Sequence, residues 1–175
     1  NKAKDGNYDI VVCGNYNVSE DYQNKNIDAF INNYNTDYTD LENIFFGKMA
    51  VWNKIYKREM WKDLRFAIGA FIEDGMIVPY LVQRCQRSHI SLKGGYFYRY
   101  TEGSILNSAW TEKKYLDFFI SKYLMWERIN ELEYMNPVKM KSYLGTIRWL
   151  AICSHKGILN CSDYDSFLNS LPSIR

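Results

Sequence analysis

Two adjacent carboxylates, Glu73 and Asp74, are the residues whose type and setting best suit acid–base chemistry. They follow a glycine-containing turn, Phe66-Ala67-Ile68-Gly69-Ala70-Phe71. They open an apolar run, Met76-Ile77-Val78-Pro79-Tyr80-Leu81-Val82, that reads as a helix. A carboxylate held against a hydroxyl can take its proton as the oxygen attacks. The start of a helix favours the ionised form that does so. Helix capping gives the same pair a second meaning, because the free N–H groups of a first turn also attract acids. The neighbouring motifs have to separate the two.

Several elements must hold that pair in place. Asp9-Ile10-Val11-Val12-Cys13-Gly14 is short, apolar and β-branched, the pattern of a buried strand. Asn15 to Asn35 is polar and Asn-rich, and reads as a loop with one weak helical turn around Ile27–Ile31. Thr39-Asp40-Leu41-Glu42 starts a helix with Thr39 as N-cap, and Gly47 marks its end. Met49 to Tyr56 reads as an extended segment leading into a helical turn or two over Lys57–Trp61. The helix opened by the carboxylates is expected to run to about Arg87, with Pro79 kinking it. His89-Ile90-Ser91-Leu92 and Tyr96 to Tyr100 read as two strands separated by Lys93-Gly94-Gly95. From Trp110 the pattern is helical. Thr111 caps a helix reaching about Tyr134, Pro137 opens another to about His155, and Asp163–Leu171 closes the chain.

Composition limits what such a chain can do. With 175 residues it can bury a sizeable core, and 47% hydrophobic with 17% aromatic content argues against disorder. Net charge is +2, too near balance to imply a nucleic-acid partner by itself. Cys13, Cys85, Cys153 and Cys161 form no CxxC pair, so they read as reduced thiols of a cytosolic protein. No apolar run of about 18 residues offers a spanning helix.

Four stretches in order carry a family resemblance: Asp9–Cys13, then Val51-Trp52-Asn53-Lys54-Ile55-Tyr56-Lys57-Arg58-Glu59, then Phe66-x-x-Gly69-x-x-x-Glu73-Asp74, and last Gly95-Tyr96-Phe97-Tyr98-Arg99 through Gly103-Ser104 to Ser108. Together they resemble the bacterial family 2 glycosyltransferases, over roughly Asn1 to Ser108. The resemblance implies an α/β architecture (α+β in this stretch): a partial GT-A sheet with flanking helices, followed by a C-terminal helical segment. Residues 1–108 would be the acceptor-side portion of the transferase domain and 109–175 a helical extension. It implies transfer of a sugar, with inversion, from a nucleotide-diphospho-sugar to a hydroxyl of a glycan or lipid-linked acceptor. Asp74 would be the general base with Glu73 in support, while Arg99 and Ser104 would contact the donor diphosphate. Trp52, Asn53 and Lys54 would be a structural segment near the acceptor side, with Trp52 in the core and Lys54 paired with a carboxylate.

The departures from the family are equally specific. Such enzymes hold Mg or Mn through an Asp-x-Asp motif, so a divalent ion is expected for the full-length protein, but the motif is absent from this chain. Asp37 and Asp40 fall too late in the order, and Asp163-Tyr164-Asp165 lies in the distal tail, where it reads as a helix start. The chain is therefore expected to be a portion of a longer enzyme, binding donor poorly and inactive when isolated. A cytoplasmic site of action is expected, at the inner face of a membrane if its basic-aromatic helices associate with one. The competing reading is a non-enzymatic module in which Lys54, Lys57, Arg58, Lys62 and Arg65, interleaved with aromatics, bind a protein or a single-stranded nucleic acid.

Overall fold

Strand β1 (Ile10–Val18) sends Ile10, Val12 and Val18 into the core and anchors a mixed four-stranded sheet. The computed structural model describes residues 5–19, 25–27, 36–37, 39–46, 49–132 and 136–159. Strand β2 (Lys25–Ile27) pairs antiparallel with the second half of β1, Tyr16 opposite Ile27. Strand β3 (Lys54–Tyr56) pairs antiparallel with the first half, Ile10 opposite Tyr56. Strand β4 (Ser88–Arg99) lies parallel to β1 along its whole length, from Ile10 opposite Ser88 to Val18 opposite Arg99. Sheet and helices together make the α/β class expected from the sequence.

Two expectations are corrected here. The Asn-rich segment is not all loop: β1 continues through Asn15, Tyr16 and Asn17 to Val18, and Ile27 belongs to a strand, not a helical turn. Asn15 hides this because it is fully buried in the strand, its amide donating to Asn17 Oδ1 at 3.2 Å. Nor does Lys93-Gly94-Gly95 lie between separate strands. It is an irregularity within one continuous strand, with the register shifting at Gly14. A Cβ at Gly95 would lie 3.1 Å from Cys13 Sγ, so the glycine lets β4 close up on β1.

Helix α1 (Asp40–Phe46) starts on a reciprocal cap: Thr39 Oγ1 accepts from Glu42 N at 3.2 Å while Glu42 Oε2 accepts from Thr39 N at 2.8 Å. Leu41 and Ile44 are buried, and Asp40 Oδ2 accepts from Ile90 N, tying α1 to β4. The turn after β3 is a short 3₁₀ segment, Arg58–Trp61.

Helix α2 (Glu73–Gln83) runs through Pro79 but stops four residues short of Arg87. Asp9 Oδ2 captures the N–H groups of Gln86 and Arg87, both at 2.9 Å, and turns that stretch toward β4. Helix α3 (Glu112–Asn130) is capped by Thr111, whose hydroxyl accepts from Lys114 N, and it ends before Tyr134. Helix α4 (Asn136–His155) matches its expected bounds. The expected closing helix, Gly47 and Asp163-Tyr164-Asp165 lie outside the described residues.

The chain forms two compact units. One comprises Asn1–Lys62 and Arg84–Ser108, with the sheet and α1; the other comprises Asp63–Gln83 and Ala109–Arg175, with α2, α3 and α4. In the helical unit Phe119, Cys153 and Leu159 are buried together, with Tyr115, Trp149 and Leu150 packed around them.

Candidate active site

Glu73 and Asp74 stand in the first turn of α2, both half-buried. The turn is set from two sides. Met76 N donates to Ile72 O at 3.2 Å, and Gly75 N donates to Asp74 Oδ1 at 2.7 Å. Just before it, Phe71 N donates to Asp117 Oδ2 at 2.7 Å. Asp117 is buried in α3, and the Lys113 ammonium, 2.9 Å from the same oxygen, balances its charge. The Lys113 and Lys114 ammoniums also lie over the Phe71 ring, at 5.4 and 5.8 Å. The approach to the carboxylate pair is thus fastened to α3 at Asp117.

Gly75 is the second fixing point. A Cβ there would come within 2.9 Å of Ile72 Cγ2 and 3.2 Å of Ser121 Cβ. Ser121 is buried on α3, its hydroxyl donating to Phe118 O. Two small residues therefore let the start of α2 lie against α3. Asp117 and Ser121 were missed from the sequence. Their signal was there, since each is a polar residue within the apolar face of Leu116, Phe119, Ile120 and Leu124.

Arg99 and Ser104 belong to the sheet unit. Arg99 ends β4, is exposed, and sits opposite Val18 in the register. The chain then turns: Ser104 N donates to Thr101 O, and Ser104 O accepts from both Asn107 N at 2.9 Å and Ser108 N at 2.8 Å. Gly103 has φ +70, a left-handed conformation that side chains resist. Ser104 precedes the 3₁₀ turn Ile105–Asn107, but its hydroxyl makes no cap bond there. The loop thus fixes the backbone of Ser104 without using its hydroxyl as the cap.

The Trp52-Asn53-Lys54 segment braces the same unit. Asn53 is buried; its amide donates to Cys13 O and its carbonyl accepts from Cys13 N, both at 3.0 Å. Trp52 is half-buried and stacks on Tyr96 and Tyr98, with ring centroids 4.6 and 4.8 Å away. The Lys54 ammonium donates to Ala50 O and Asn53 Oδ1. Nearby, Lys57 pairs with Asp9 at 2.8 Å. Burial raises the Asp9 carboxyl, but the Lys57 bond and the Arg87 and Gln86 N–H groups outweigh it and hold the pKa below its ordinary 3.8. Cys85, buried in this unit, has its thiol pushed up to about 12 by burial and is a poor nucleophile.

No family model matches the chain. Over 88 residues, half of this chain, the sequence is 34% identical to the glycosyltransferase GlyA of Streptococcus pneumoniae serotype 4, and the match spans 12% of that protein's length. The chain is thus related, over that segment, to a glycosyltransferase.

Among the described residues, no three His, Cys, Asp or Glu side chains converge to hold a metal ion.

Proposed function

We propose that this chain is the acceptor-side portion of an inverting family 2 glycosyltransferase with a GT-A fold, acting in the synthesis of a surface polysaccharide or glycoconjugate. The observation that carries the proposal is the relationship of half the chain to a glycosyltransferase. The donor is a nucleotide-diphospho-sugar and the acceptor a hydroxyl of a glycan or lipid-linked sugar. Asp74 takes the hydroxyl proton as the acceptor oxygen bonds to the anomeric carbon. The bond from that carbon to the diphosphate oxygen breaks on the opposite side, and the nucleoside diphosphate leaves with the electron pair. Glu73 supports the base. Arg99 and the Ser104 hydroxyl bind the leaving diphosphate, a role that suits a guanidinium at a strand end beside a loop with a fixed backbone.

The fastening of the carboxylate turn by Asp117 and Gly75 supports this role, because a general base must be held in place to be effective. The resemblance places in this chain only the contacts of Arg99 and Ser104 to the diphosphate, so the 175 residues alone are expected to bind donor weakly and not to turn over. The test is Asp74→Asn in the whole enzyme. Sugar transfer is expected to fall by about 10²-fold or more, with donor binding and the melting temperature unchanged. Near-normal transfer by that variant would remove Asp74 from the reaction.

A further inference from the structure

Helix α4 carries apolar residues on its outward side as well as on the side packed against α3. The side against α3 mixes apolar and small polar residues: Trp149 and Leu150 pack around Phe119, Ser142, Thr146 and Cys153 are buried, and Thr146 Oγ1 bonds to Lys122 O at 3.0 Å and Ser142 O at 2.9 Å. The Lys122 stem lies over Gly145. The side turned outward is apolar. Met140, Tyr143, Leu144 and Ile147 recur at helical spacing and are 60%, 45%, 58% and 45% exposed. A surface helix ordinarily turns a polar face outward, and a contiguous exposed apolar stripe marks a contact surface.

Charge indicates what the contact is with. Between Asn136 and His155 there is no Asp or Glu, while Lys141 and Arg148 are exposed. At about 100° per residue these two fall along one margin of the stripe, beside Leu144. An apolar face edged on one side by cations and free of acids is the pattern of a helix lying in a bilayer interface, its cations reaching the headgroups. A protein partner would need the apolar stripe but not the uniform sign. No helix among the described residues is long and apolar enough to cross a membrane, so such a contact would be peripheral.

We propose that the outward face of α4, centred on Leu144 and Ile147 with Lys141 and Arg148 at its margin, docks this chain on an anionic lipid bilayer. The surface stands independently of the glycosyltransferase proposal, since none of its residues has a role in the transfer.

Sedimentation with lipid vesicles tests it, using the purified chain. Vesicles containing phosphatidylglycerol should carry the chain down, those of phosphatidylcholine alone far less, and added salt should weaken the binding. Leu144→Glu with Ile147→Glu should lower binding about tenfold or more. Lys141→Glu with Arg148→Glu should abolish the preference for the anionic lipid while leaving the apolar stripe intact. All four residues are exposed, and circular dichroism should show both variants folded. Failure of the wild-type chain to bind anionic vesicles would overturn the proposal, as would binding that neither folded variant alters. If the chain instead self-associates in the ultracentrifuge, binds no vesicles and loses association with the Leu144/Ile147 changes, the face is an interface between copies and the lipid proposal falls.

Discussion

At the residue scale, Asp9 shows how one side chain fastens three segments without entering the chemistry. Its two oxygens receive the Lys57 ammonium and the N–H groups of Gln86 and Arg87. Bonds of this kind, with one partner charged, contribute more than neutral ones. Asp9→Ala is therefore expected to destabilise the chain by about 2 kcal/mol at neutral pH. The sign of its pH dependence follows from the lowered native pKa. The unfolded chain takes up the proton first as pH falls, so the stabilisation is complete above 3.8 and disappears as pH drops through the lower native value. Urea denaturation of both proteins should give a difference that is constant near neutrality and shrinks below pH 3.8. A difference that persists unchanged in acid would show that ionisation of Asp9 does not contribute to it.

At the element scale, what could be read in the sequence was whatever local chemistry controls. Thr39 with Glu42, Thr111 and Pro137 marked three helix starts, because a cap acts through its own neighbours. The end of α2 and the extent of β1 and β4 were not legible, because distant partners set them. Asp9 ends the stretch after α2 from 77 positions away in sequence, and buried Asn15 looks like a loop residue until β4 is laid beside it. The Glu73-Asp74 pair was visible for the same reason as the caps, whereas Asp117 and Ser121 of α3 showed only as polar residues in an apolar face, which does not say what they hold. Gly75 joins the two levels. Replacing it with Ala raises helix propensity by about 1 kcal/mol, yet the new methyl meets Ile72 and Ser121. Overpacking of this kind costs about 1–3 kcal/mol. Because Ile72 lies in the turn fastened to α3 and Ser121 is buried, neither neighbour can move aside cheaply, and the clash should win. Gly75→Ala should lower the melting temperature, and Gly75→Ala with Ser121→Gly should recover some of the loss by giving the methyl room. Stabilisation by the single change would mean that the helices separate at no cost.

At the scale of the whole molecule, the residues assigned to the two sides of the transfer reaction fall in different compact units. Glu73 and Asp74 lie in the helical unit, Arg99 and Ser104 in the sheet unit. They were joined in the sequence only by the order of motifs, which carries no distance. Separate units make the two roles separable by experiment. In the whole enzyme, Arg99→Ala would, on the proposed reading, remove a charge-assisted contact to the diphosphate. It should weaken nucleoside-diphosphate binding by about 10- to 100-fold, the equivalent of about 1.5–3 kcal/mol. Asp74→Asn should leave that affinity unaltered while transfer is lost. Titration calorimetry with the nucleoside diphosphate on wild type and both variants decides it. Arg99 is exposed at the end of β4, so the substitution should not disturb the sheet, and a lost affinity can be read as a lost contact. Unchanged affinity in Arg99→Ala would return that residue to a solvated strand end and leave Ser104 and its loop without their guanidinium partner at the diphosphate.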